Sequence, residues 1–168
     1  MQIIFRIFVF ICLSLAFSAG VSAQVFTGGN VSVSYDNGVY ADIAPVVGYR
    51  LEAFNGGVSP IFSYKKPDNS AQQFFSMGAR IFGQYHLIEN AFLHAEFQTL
   101  NTQTTSVFAD GTRIHDRVWT ISLPVGAGYE TRLNDKTRVQ ASILYDVLQD
   151  KNNPNNMPVI RGGILYDL

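Results

Sequence analysis

Cysteine is nearly absent: the 168-residue chain has one, Cys12, so no disulfide framework can hold its fold. Charge is scarce as well. Twelve Lys+Arg and 13 Asp+Glu leave a net charge of −1, which excludes the basic face on which nucleic-acid binding usually rests. The sequence has no Gly-rich phosphate loop and no Cys–His zinc spacing, and it needs no cofactor on this reading. After residue 24 no apolar run approaches the roughly 18 residues that mark a membrane helix. What remains is unusual. Aromatic residues make up 13% of the chain and 14 glycines accompany them, while only 15% of residues are charged, a mixture that favours strands over charged helix surfaces.

The first residues have the layout of a targeting segment. Arg6 supplies the positive start, Ile7 to Phe17 an apolar stretch too short to span a bilayer, and Val21-Ser22-Ala23 the small residues of a cleavage site. Residues 1–23 are therefore expected to be a signal peptide, removed after Ala23, and residues 24–168 a single domain. Cys12 lies within the apolar stretch and not at the cleavage point, which argues against a lipoprotein. An exported chain without cysteine must rely on burial and hydrogen bonds.

The rest of the sequence alternates with period 2. Eight segments do so: Val25 to Tyr35, Val39 to Leu51, Phe54 to Tyr64, Gln72 to His86, Ala91 to Leu100, Arg117 to Arg132, Thr137 to Val147, and Val159 to Leu168,. Eight is a common number for a small closed barrel. Tight turns are expected at Asp36-Asn37-Gly38, around Glu52, at Ile88-Glu89-Asn90 and at Asn134-Asp135-Lys136,. Longer connections are expected at Lys65 to Asn69, Asn101 to Asp116 and Gln149 to Pro158. From the second strand onward short and long connections alternate, as at the two rims of an outer-membrane barrel. The Thr-rich loop Asn101 to Asp116 and the Asn-rich Lys151 to Met157 are candidate external contact surfaces,.

One register of these segments is apolar and carries no charge, as in Ile43, Pro45, Val47; Phe75, Met77, Ala79, Ile81; and Ile160, Gly162, Ile164. The opposite register is polar. It holds five acids (Asp42, Glu96, Glu130, Asp146, Asp167) and four bases (Arg50, Arg80, Arg138, Arg161), with apolar interruptions at Val46, Phe74, Phe82, Leu144 and Leu165. A soluble barrel of lipocalin type shows the same alternation with the faces exchanged. The aromatics decide between the two. Tyr49, Tyr85, Tyr129 and Tyr166 sort to the tight-turn ends of their strands, and Tyr35, Tyr64, Trp119 and Tyr145 to the other ends, as two membrane-interface girdles would. The expected fold is all-β, an eight-stranded antiparallel up-and-down transmembrane barrel.

Such a lumen is just wide enough for side chains to fill. Nearly balanced charges confined there should pair into a hydrogen-bonded plug, with a narrow ion or small-solute channel as the alternative. His86, His94 and Glu96 form the one cluster with metal-like chemistry,. Hydrogen-bonded lumen histidines explain them as well, so no metal site is assigned. Ser76, Ser122 and Ser142 share the polar face with His94 and Glu96, while the outward register has no Ser-His-acid set,. No catalytic residue is assigned, and a lipid-modifying enzyme is the minor alternative.

Several stretches also resemble a known group. Ile43-Ala44-Pro45-Val46-Val47-Gly48-Tyr49-Arg50, Glu89 to Phe97, Arg117-Val118-Trp119 with Val125 to Tyr129, and Pro158 to Gly163 are similar to small outer-membrane β-barrel proteins of Bacteroidota type, many of them porin-like. In architecture the chain resembles outer membrane protein X and the OmpA barrel. The closing Gly162, Ile164, Tyr166, Leu168 resembles the terminal signal read by the barrel assembly machinery, with Leu where Phe is usual. The resemblance implies a monomer in the cell outer membrane. Its partners would be membrane lipids, lipopolysaccharide and, during insertion, that machinery.

Overall fold

The structure is a computed structural model and describes residues 23–35, 37–68, 73–107, 113–150 and 158–168. The expected signal peptide, up to residue 22, and the Lys151 to Met157 loop lie outside the described residues.

Nine strands follow one another: β1 (Gln24–Tyr35), β2 (Gly38–Arg50), β3 (Phe54–Pro67), β4 (Phe74–His86), β5 (Ala91–Val107), β6 (Arg113–Ser122), β7 (Pro124–Arg132), β8 (Thr137–Asp146) and β9 (Val159–Asp167). Apart from β6 and β7, each pairs antiparallel with its sequence neighbour, and β1 pairs with β9. β6 and β7 are two halves of one stave, interrupted at Leu123, and both pair with β5 in a single register. The result is a closed eight-stranded antiparallel barrel. Closure leaves the wall without two free sheet edges, which is how a barrel satisfies its backbone groups without water.

The tight turns gather at one rim. Leu51 and Phe54 exchange both backbone hydrogen bonds, at 2.7 and 3.1 Å, and Leu87 N–H donates to Ala91 O and Leu133 N–H to Thr137 O. At the other rim, Asn37 has a φ of 50° and Gly38 a φ of 147°. A side chain at Gly38 would also meet Lys66 O at 2.4 Å, so the β1–β2 turn needs glycine there. The loop expected over Asn101 to Asp116 is largely strand instead. β5 continues to Val107 and β6 begins at Arg113, since threonine's branched side chain suits a paired strand as well as a loop.

The faces are those expected of a barrel that is apolar outside. Ile160 is 65% exposed and Ile164 57%, while Arg161 between them is 4% exposed and Asp167 1%. A soluble lipocalin-like barrel requires the reverse order, so that alternative is corrected here. Two outward prolines, Pro45 and Pro60, interrupt the β2–β3 ladder between Ile43↔Phe62 and Val47↔Val58. Proline offers no N–H to the ladder. The Ser59 hydroxyl donates to Pro45 O at 2.5 Å and so uses one of the carbonyls released.

Large inward side chains fit because glycines face them. A Cβ on Gly48 would stand 2.5 Å from the Phe26 ring, one on Gly57 2.8 Å from Phe82, and one on Gly128 2.4 Å from Phe92. Phe26, Phe82, Val46 and Leu165 form one buried apolar cluster, and Ala44, Ile61 and Leu100 another. Val46, Phe82 and Leu165 are among the expected apolar interruptions of the polar register, and Phe26, Ala44, Ile61 and Leu100 are further ones. They seal space that charged groups would otherwise have to fill.

Candidate functional site

The lumen is built in layers, because every second residue of each strand points into it. Midway along the barrel, β2, β4, β5 and β9 contribute Asp42, Arg80, Glu96 and Arg161, all buried. Arg161 holds Glu96 by two hydrogen bonds, Nη1 to Oε2 at 2.6 Å and Nη2 to Oε1 at 3.0 Å. This forked geometry is the strong form of the pair. Arg80 reaches across to Asp42 at 3.2 Å and stands 3.5 Å from both Glu96 oxygens. Ser32 completes the ring by accepting from Arg161 Nε at 2.9 Å and donating to Asp42 at 3.1 Å.

Below this quartet runs a chain of amides from four strands. Asn55 donates to Gln84 at 3.3 Å, Gln84 to Gln140 at 3.0 Å, and Gln140 to Asn30 at 3.1 Å. Gln84 Nε2 also stands 3.3 Å from His94 Nδ1, and His94 Nε2 lies 3.0 Å from Glu96. A neutral imidazole with its proton on Nε2 satisfies both contacts. Phe82 stacks on the His94 ring at 5.8 Å and 7°.

A second quartet closes the tight-turn end, drawn from β2, β7, β8 and β9. Arg50 donates to Glu130 at 2.8 Å, Arg138 donates to Glu130 at 3.1 Å and to Asp167 at 3.0 Å, and Arg50 Nε stands 3.5 Å from Asp167. His86 sits beside it, 3.8 Å from Glu130. Asp146 is the remaining acid of the expected lumen set. It faces inward near the other end, where its Oδ1 accepts from Leu123 N–H at 2.8 Å and Leu148 N–H at 3.1 Å. It thereby serves the backbone at the β6–β7 interruption.

His86, His94 and Glu96 do not converge. His86 is aligned with Phe92 in the β4–β5 ladder and His94 with Gln84, and the Phe92 ring contacts both imidazoles, at 5.6 and 6.4 Å. Among the described residues no group of three His, Cys, Asp or Glu side chains is placed to hold a metal ion. Both nitrogens of His94 are already engaged by Gln84 and Glu96, so no serine is its partner. Sequence reading missed the amide chain. Its signal was present, since Asn30, Gln84 and Gln140 all stand in the polar register.

On the outer face, the expected girdle residues Tyr35, Tyr49, Tyr85, Trp119, Tyr129, Tyr145 and Tyr166 are exposed and Tyr64 is half-buried. Several of their polar tips meet rim residues. Asn90 donates to the Tyr129 hydroxyl at 2.8 Å, Tyr35 donates to Asp68, and Gln149 donates to Tyr145. Lys136 Nζ stands over the Tyr166 ring at 5.7 Å.

No known family's sequence profile matches the chain, and no curated protein does either. Among the solved structures similar to it are the following three. Neisserial surface protein A (NspA) is 14% identical, with 89% of this chain and 100% of that one covered and a TM-score of 0.50. Ail, the attachment invasion locus protein of Yersinia pestis, is 13% identical, covering 87% and 97%, at 0.49. The N-terminal β-barrel domain of Pseudomonas aeruginosa OprF is 10% identical, covering 87% and 96%, at 0.44. At such identities the likeness to NspA concerns the fold alone.

Proposed function

We propose that this chain is a small integral outer-membrane barrel with a structural or surface-interaction role and a lumen plugged by its own side chains. The observation that carries the reading is the inverted order of the wall. Exposed aliphatic and aromatic residues cover its outside, while ionic and amide groups fill its inside. In water an apolar surface of this extent drives association, whereas acyl chains cover it without cost and demand a closed ladder. The plug reading rests on the two quartets, in which two arginines face two carboxylates, so neither layer leaves a charge uncompensated. Removal of residues 1–23 as a signal peptide, insertion by the barrel assembly machinery, a monomeric state and a Bacteroidota-type origin belong to the same proposal. They are supported by the residue patterns that motivated them. Lys65 and Lys66 follow Tyr64 at the long-loop rim and suit the phosphates of lipopolysaccharide. The reading is non-enzymatic, consistent with a His94 held by Gln84 and Glu96.

Membrane fractionation with heat-modifiable gel mobility tests the setting. The protein should stay in carbonate-washed outer membranes and migrate faster unheated than boiled. Release by carbonate overturns the proposal. Planar-bilayer recording tests the plug, which should give no discrete conductance. Reproducible conductance steps support the second reading, a narrow ion path. One observation favours that reading: Arg50 Nη2 and Glu130 Oε2 at the tight-turn end are buried without a hydrogen bond.

A further inference from the structure

The two rims differ in what lies beyond most of their girdle aromatics. At the long-loop rim Tyr35 is followed two residues on by Asn37 and Tyr64 by Lys66, and Trp119 is preceded by Arg117; all three polar residues are exposed. Tyr145 is the exception, with Val147 50% and Leu148 52% exposed after it. At the tight-turn rim the same step leads to leucine on three staves: Tyr49-Arg50-Leu51, Tyr85-His86-Leu87 and Tyr166-Asp167-Leu168 repeat one pattern, while on the fourth Thr131 and Arg132 come between Tyr129 and Leu133. In each triplet the middle residue turns inward to the lower quartet or beside it. Leu87, Leu133 and Leu168 are 59%, 64% and 65% exposed, and Ile88 in the same turn as Leu87 is 67% exposed. Beyond Leu51 and Ile88 polar groups resume at the turn tips, with Glu52 and Glu89, and beyond Leu133 with Asn134 and Asp135, while on β7 the exposed Arg132 already stands before Leu133.

We infer that this rim is immersed in the phospholipid leaflet, with the lipid–water boundary at the turn tips and not at the tyrosines. The inference rests on the membrane setting proposed above. On β2, β4 and β9 the leucines follow the outward apolar face directly, Leu51 half-buried and the others exposed, and on β7 Leu133 resumes it after Thr131 and Arg132. They end β2, β4, β7 and β9, which are every second stave of the closed ring, so they surround the whole circumference. A docked protein covers one side, while a lipid leaflet covers all of them. Two further residues on each stave lower the apolar band by about 5 Å. Lys136, held over the Tyr166 ring, then stands at phosphate level, where a cation is favoured.

Trp119 is the chain's only tryptophan, so depth can be read by moving it. In a Trp119→Phe background, Ile81→Trp, Leu87→Trp, Leu133→Trp and Glu89→Trp are reconstituted into phosphatidylcholine vesicles carrying bromines at the chain middle or near the glycerol. Folding of each variant is checked by heat-modifiable mobility. Ile81→Trp should be quenched most by mid-chain bromines, and this arm tests the membrane setting itself. Leu87→Trp and Leu133→Trp should show blue-shifted emission, strongest quenching by bromines near the glycerol, and protection from aqueous acrylamide. Glu89→Trp should be quenched by acrylamide. If Leu87→Trp and Leu133→Trp behave like Glu89→Trp while Ile81→Trp is quenched by bromine, the barrel is in lipid but the inference about its rim is overturned. If Ile81→Trp escapes bromine, both fall. Quenching of only one leucine position overturns the encircling leaflet in favour of one-sided contact.

Discussion

The two ionic quartets of the lumen hold the same groups, two arginines, two carboxylates and a neighbouring histidine, yet their surroundings differ. In the middle quartet the Arg80 and Arg161 side chains are 1% and 5% exposed; at the tight-turn end Arg50 and Arg138 are 11% and 13% exposed. Unpartnered atoms divide the same way. Arg80 Nε is the one in the middle quartet without a hydrogen bond, against Arg50 Nη2 and Glu130 Oε2 at the end, where Arg50 Nε and Asp167 Oδ1 meet only as an ion pair at 3.5 Å. An unpaired polar atom in a dry interior is costly, and the partly exposed arginine side chains of the end layer offset that cost by their contact with water,. Identical chemistry thus does two jobs. The middle layer binds the wall across the barrel, and the end layer lies closer to solvent.

Removing one acid from each layer should separate these jobs. Glu96→Ala leaves Arg80 and Arg161 buried and facing each other, and is expected to cost about 3–5 kcal/mol, read from urea unfolding in lipid vesicles. Between the layers, Gly128→Val forces a branched side chain against the Phe92 ring and Ala141 O, with an expected cost of about 1–3 kcal/mol in the same assay. Glu130→Ala should cost less than Glu96→Ala, about 1–2 kcal/mol, because Arg50 and Arg138 can turn toward water. Its effect should also shrink in high salt while that of Glu96→Ala does not. Equal losses for the two acids, with equal salt dependence, would erase the distinction. The smallest change is Asn90→Ala, which removes only the hydrogen bond to the Tyr129 hydroxyl. It should shift stability by less than about 1 kcal/mol and leave both quartets intact.

Much of this architecture was legible in particular residues. The uncharged run of alternate positions through Ile43, Val47 and Ile81, set against Asp42, Arg80 and Glu96, already told outside from inside, since a strand exposes its two faces in strict alternation. The girdle tyrosines marked the strand ends, whereas Trp119, expected near the start of its strand, lies within it, because β6 already begins at Arg113. Other features escaped that reading. Threonine-rich segments beyond Leu100 and before Arg117 read as loop and are paired strand. His86 and His94 looked like one cluster, but strand register set Phe92 against His86 and Gln84 against His94.

The sequence by itself determined which face of each strand is apolar and which is polar, because period-2 patterning is local and survives any choice of neighbouring strand. Only the tertiary structure decided which charges meet. Arg161 finds Glu96 across 65 residues, and Arg50 finds Glu130 across 80. Those partners depend on how the closed ring staggers its strands, a property of the whole sheet that no single segment encodes.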